Sequence, residues 1–102
     1  MQMEKPVPIT LTAIAAQEIR KILQVKGIPE DYCLRVGTNG GGCAGVSYII
    51  GFDKPATTDE KYLIEGINVL IDKRHALFLW GVEVDFVDAL ERGFVFKTIH
   101  QS

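Results

Sequence analysis

From Tyr32 onward the apolar residues of this chain recur at every second position, and that alternation commits most of it to β-strands. In the first such segment Tyr32, Leu34 and Val36 alternate with Cys33 and Arg35. "SYIIGF", residues 47–52, is β-branched and aromatic, the composition of a second strand. "KYLI" and "INVLI" flank Glu65-Gly66 and read as a hairpin. "VEVDFVD" sets Val82, Val84 and Phe86 against Glu83 and Asp85, and "FVFKTI" follows a turn at "ALERG". "DKPATTDE" is a polar loop.

A helical period occurs in two places only. In "TLTAIAAQEIRKILQVKG" Ala15, Ile19, Ile22 and Leu23 share a face, with Gln17, Arg20, Lys21 and Gln24 mostly opposite. Thr12 can cap the start, Gly27 can take the left-handed conformation at the end, and Pro29 prevents resumption. "DKRHALFLWG" reads as a short second helix, capped by Asp72, ended by Gly81, with Ala76, Leu77 and Trp80 on one face. Residues 1–9 hold two prolines and read as an extended arm. Few crossover helices and short connections predict an α+β fold: a compact, β-rich domain of mostly antiparallel, mixed strands with an N-terminal helix and a short second one. The length, 102 residues, fits a single domain over 1–102.

Charge narrows the function classes. The formal net charge is -2 and Lys and Arg do not cluster, so no basic surface for nucleic acid is expected. No run of ~18 apolar residues and no apolar signal core occur, which points away from the membrane and to the cytoplasm. Two cysteines, Cys33 and Cys43, are too few for a disulfide scaffold.

The unusual stretch is Gly40-Gly41-Gly42-Cys43-Ala44-Gly45. Glycine loses more conformational entropy on folding than any other residue, so four within six positions need a reason. Gly40-x-Gly42-x-x-Gly45 matches the dinucleotide-binding fingerprint in form only, because that fingerprint opens a helix and Val46-Ser47-Tyr48-Ile49-Ile50 reads as a strand. No Gly-Lys-Ser/Thr phosphate loop is present. Two readings remain. The segment is a glycine-rich hairpin connection with Cys43 as small filler, or the glycines bare the backbone around an accessible thiolate, a metal ligand or nucleophile. A tight turn needs one or two glycines rather than four.

These residues carry a resemblance. The chain resembles the HesB-like family of A-type iron–sulfur cluster assembly proteins, scaffolds and carriers. "ITLTAIAAQEIRKIL" resembles the family's opening helix, "LRVGTNGGGCAGVSYIIGFD" its signature loop and flanking strands, and "INVLIDKRHALFLWGVEVDFVDALERGFVF" its second half. The resemblance implies a homodimer or higher homo-oligomer that binds iron or a [2Fe–2S] cluster through cysteines. It implies partners among iron–sulfur assembly and recipient proteins, and no enzymatic activity. Of the family's usual ligands, Cys43 matches the cysteine of the glycine loop. The Cys-Gly-Cys pair expected near the C-terminus is missing, since Lys97-Thr98-Ile99-His100-Gln101-Ser102 follows "GFVF".

One matching thiolate per chain leaves a four-ligand cluster short, so a metal site shared between copies is expected. His100 lies where the family tail begins and imidazole ligates iron, which makes it a candidate second ligand. Cys33, on a strand beside Arg35, reads as a buried, inert thiol, and His75 as a surface residue of the short helix. Glu83, Asp85 and Asp88 are expected to be solvated, with Asp85 and Asp88 able to offer oxygen ligands. With His75 and His100 as the only histidines, no hydrolytic triad is recognisable. Phe94, Phe96 and Ile99 are expected to leave an apolar strand edge open to a second copy. The alternative to a carrier is a degenerate member that has lost cluster chemistry and serves as a protein-binding module or a redox or sulfur-accepting thiol protein.

Overall fold

Thr12 starts the long helix as expected. Its hydroxyl accepts from the Ala15 N–H at 3.1 Å, and helix α1 runs Ala13–Val25 with Ala15, Ala16 and Ile19 turned inward. Gly27, at φ 62°, takes the left-handed conformation just past the end. The computed structural model describes residues 7–40, 46–88 and 92–98. Among them are seven strands: β1 Ile9–Leu11, β2 Cys33–Gly40, β3 Val46–Asp53, β4 Asp59–Ile64, β5 Ile67–Asp72, β6 Val82–Asp88 and β7 Arg92–Thr98. Helix α2, Ala76–Leu79, lies between β5 and β6.

The strands form two sheets, β3-β2-β5-β4 and β1-β6-β7. Three pairings are antiparallel, β2–β3, β4–β5 and β6–β7, while β1–β6 and β2–β5 are parallel. The apolar alternation sets the inner faces. Leu34 and Val36 of β2, Val69 and Ile71 of β5, and Val82 and Val84 of β6 join Ile9, Leu11, Ile19 and Leu79 in one buried cluster. Each such side chain contributes roughly 1.5–3 kcal/mol by leaving water. Tyr48 of β3 stacks on Phe96 of β7, centroids 5.1 Å apart, tying one sheet to the other.

Three expectations are corrected. Residues 7–9 are not wholly an arm: Ile9–Leu11 is a strand, paired in parallel with Val82–Val84. Asp72 does not cap α2. It ends β5, and its carboxylate accepts from the Arg74 N–H at 2.9 Å and from the Arg74 guanidinium at 3.0 and 2.6 Å, closing a turn. His75 takes the N-cap position with no side-chain bond. On α2 the buried residue is Leu79, whereas Leu77 and Trp80 face solvent. As expected, β7 is an edge strand of its sheet and the core covers Phe94 and Phe96 only in part, Phe94 in an edge-to-face contact with Phe86 at 4.9 Å. Ile99 lies outside the described residues.

Candidate functional site

β2 and β3 pair without interruption from Cys33↔Asp53 to Gly40↔Val46. Residues 41–45 connect them, and Cys43 is the central residue of that connection. Cys43 and His100, the two candidate ligands, both lie outside the described residues, but their flanks do not. On the inner face Thr38, buried, stands opposite Tyr48, whose ring meets Phe96. Tyr48 is five residues from Cys43 and Phe96 four from His100.

On the other face the strand end is flanked by α2. Gly37 lies beneath His75 and Ile49, and a β-carbon placed on Gly37 would stand 3.4 Å from His75 Nδ1 and 3.5 Å from Ile49 Cδ1. His75 is held by its N–H, which donates to the Asp72 carbonyl at 2.8 Å. The sequence reading left His75 on a helix surface. The parallel pairing of β2 with β5 brings it beside β2, three residues before Gly40. No local pattern announces that neighbour, because it depends on a pairing between strands about 35 residues apart.

Cys33 is 6% exposed and free. It begins β2, and seven residues of strand, roughly 23 Å, separate it from Gly40. It lines a groove of about 260 Å³ with Arg20, Leu23, Tyr32 and Ile67, at the opposite end of β2 from the glycine segment. Within one chain, Cys33 therefore cannot stand in as a second ligand beside Cys43.

The carboxylates considered as oxygen ligands are engaged elsewhere. Asp85, half-buried rather than freely solvated, accepts from the Thr12 hydroxyl at 2.8 Å, the Phe86 N–H at 2.8 Å and Lys97 Nζ at 3.3 Å. Those bonds, the Thr12 hydroxyl first, lower its pKa. Asp88 pairs with Arg92 at 3.1 Å. On the outer face of the larger sheet Asp59 receives both Arg35 guanidinium nitrogens, at 2.8 and 2.7 Å, and the Ala56 N–H at 2.7 Å. The Arg35 bond is the main cause of the lowered pKa of Asp59. Arg74, with help from Thr58, holds the Asp72 carboxyl far below the usual carboxylate range. Among the described residues no three His, Cys, Asp or Glu side chains gather as a metal-binding group.

Comparisons with known proteins identify the family. A family model described as iron–sulphur cluster biosynthesis matches residues 7–99. The chain is 39% identical over 90 residues to the iron-binding protein IscA of Enterobacter sp. (strain 638), covering 86% of this chain and 82% of that protein. It is 36% identical over 101 residues to a putative iron-sulfur cluster insertion protein ErpA of Burkholderia lata, covering 97% and 81%. The crystal structure of Escherichia coli SufA, involved in biosynthesis of iron–sulfur clusters, superposes with a TM-score of 0.73 at 32% identity, covering 88% of this chain and 79% of that one. A crystal structure of IscA with a [2Fe–2S] cluster gives 0.73 at 26% identity, covering 88% and 84%.

Proposed function

The chain belongs to the iron–sulphur cluster biosynthesis family, and from that premise we propose that it takes up iron or a [2Fe–2S] cluster through Cys43 and passes it to recipient proteins. The observation that carries this reading is the family match across residues 7–99, which spans the glycine-flanked Cys43, while the other cysteine is buried at the far end of β2. Iron is cargo in this account. A thiolate is the softest ligand the chain offers, and four protein ligands normally hold a [2Fe–2S] cluster. Cys43 offers one such thiolate per chain, His100 is a candidate further donor, and a second copy sharing the site would supply the same pair again.

The protein works as one domain over residues 1–102, in the cytoplasm, as a homodimer or larger homo-oligomer, without catalysing a reaction of its own. No helix among the described residues is long and apolar enough to cross a membrane. A second reading is a family member that binds partners or uses Cys43 as a redox or sulfur-accepting thiol. Anaerobic reconstitution with iron and sulfide separates the two. The carrier reading expects visible thiolate-to-iron absorption and bound iron that disappear in Cys43→Ser. Iron-free protein after reconstitution, with Cys43 still reactive, supports the second.

A further inference from the structure

The groove at the Cys33 end of β2 has no part in the reading above, yet it is a built feature of the fold. It lies between the loop that follows α1 and the hairpin turn at Gly66, and holds about 260 Å³. Backbone bonds fix its walls. Gly27, at φ 62°, turns the chain out of α1, and the Ile28 N–H then donates to the Leu23 carbonyl at 3.2 Å. The Tyr32 N–H donates to the Pro29 carbonyl at 3.1 Å. Arg20 reaches from α1 to the hairpin, where Nη1 donates to the Glu65 carbonyl at 2.8 Å. The groove is therefore formed without a ligand, the usual state of a small-molecule site.

Its lining divides by chemistry. Leu23, Ile28 and Ile67 make an apolar wall, and Arg20 and Glu30, both exposed, add one charge of each sign. Arg35, Arg74 and Arg92 are each held by a carboxylate. Arg20 and Glu30 have no ion pair among the described residues. A guanidinium carries five N–H donors, and the bond to Glu65 engages one of them.

We propose that this groove binds a small zwitterion with an aliphatic side chain, a free α-amino acid. Its carboxylate meets Arg20, its ammonium meets Glu30, and its side chain lies against Leu23, Ile28 and Ile67. The two unlike charges choose the ligand. A carboxylate alone would satisfy Arg20 and face the like charge of Glu30, and an amine alone would do the reverse. The planar fork of an arginine matches a carboxylate in particular. Volume sets the size. Sites for drug-sized ligands hold about 300–1,000 Å³, so a groove of about 260 Å³ takes something smaller. Neither Cys43 nor a metal enters this argument.

The test titrates iron-free protein with L-leucine by calorimetry. Two analogues run beside it: 4-methylpentanoate, which lacks the ammonium, and 3-methylbutylamine, which lacks the carboxylate. Leucine should bind with a Kd of about 1 mM or below, and each analogue at least about tenfold more weakly, the loss of one charge-assisted hydrogen bond. Arg20→Gln should weaken leucine by a similar factor. Arg20 also braces the hairpin, so Glu30→Gln, at an exposed side chain without an ion pair among the described residues, is the cleaner variant. It should weaken leucine and narrow the gap between leucine and 4-methylpentanoate. Lys21→Gln, also on α1 but outside the groove, should change nothing. Cys33 lines the groove and gives a second readout: leucine should slow its alkylation by iodoacetamide, read by peptide mass, and leave the rate at Cys43 unchanged. No binding of leucine up to about 10 mM would overturn the proposal. So would equal affinity for all three compounds, binding unmoved by both Arg20→Gln and Glu30→Gln, or binding that leaves Cys33 unprotected. Because no metal is present, the outcome is separate from that of the reconstitution test of Cys43.

Discussion

Two hairpins of the larger sheet reverse the chain by different means. β4 and β5 turn through Glu65-Gly66 alone, both at positive φ, 51° and 76°, with Ile64 paired to Ile67 on either side. This is the compact two-residue connection whose twist matches that of the strands. β2 and β3 instead are joined by the five residues 41–45 after Gly40, four of the six residues 40–45 being glycine, with Cys43 among them. The first hairpin shows how little a reversal requires in this sheet. The surplus glycine of the second is therefore not accounted for by turning the chain, and the thiol it surrounds is the feature left to explain it.

The largest expected effect separates the two by metal. After reconstitution Cys43→Ser should lose most bound iron and its visible absorption, while Cys33→Ala, His75→Ala and Gly66→Ala keep theirs. Full iron content in Cys43→Ser would erase the functional difference between the hairpins. The cysteines should differ in access as well: native-state labelling followed by peptide mass analysis should modify Cys43 many times faster than Cys33, which is 6% exposed. Comparable rates would mean that β2 opens at its first residue.

Glycine substitutions sharpen the comparison further. Gly66→Ala should cost about 1–2 kcal/mol in urea unfolding, because a side chain at φ 76° is strained even with open space around it. Its metal content should stay unchanged. Gly42→Ala, beside Cys43, should show the reverse balance, with reduced iron uptake and a smaller loss of stability.

The open end of the β4–β5 hairpin predicts a pH dependence. Asp59 and Asp72 are cross-strand partners, a like-charge pair offset by Arg35 and Arg74. Both carboxyls titrate below their ordinary value of 3.8 in the folded protein. The unfolded chain therefore takes up protons first, and the stabilisation is fully present above about pH 5 and is lost as pH falls through 4 and below. Thermal unfolding between pH 3 and 6 should show that decline, and Asp59→Asn with Asp72→Asn should flatten it. An equally steep decline in the double variant would put the acid sensitivity elsewhere. The smallest effect concerns Glu65, a non-glycine residue at positive φ. Glu65→Asn should stabilise by up to about 1 kcal/mol in the same assay, since asparagine tolerates that conformation.

Local chemistry made much of this molecule legible from its residues. The Thr12 cap, the stop at Gly27, the Glu65-Gly66 turn and the alternation of Leu34 with Arg35 act within a few positions of one another. A sequence carries such information wherever it is cut. The glycine-flanked Cys43 stood out for the same reason: its composition is anomalous before any fold is known.

The tertiary structure decided what distant segments do to each other. Ile9–Leu11 is a strand only because β6 offers a parallel partner more than seventy residues away. Asp85 is bound to Thr12 rather than to water because β6 passes the start of α1. Leu79 is inside, and Leu77 and Trp80 outside, because a single helical turn of five apolar residues has no polar side to orient it. The position of the cluster it packs against chooses the buried residue. Residue types by themselves determined most of the elements and singled out Cys43, since those follow from backbone preference and side-chain chemistry. Pairing, register and the inward face of α2 came from three-dimensional packing, since they follow from burial against neighbours that the sequence places far away.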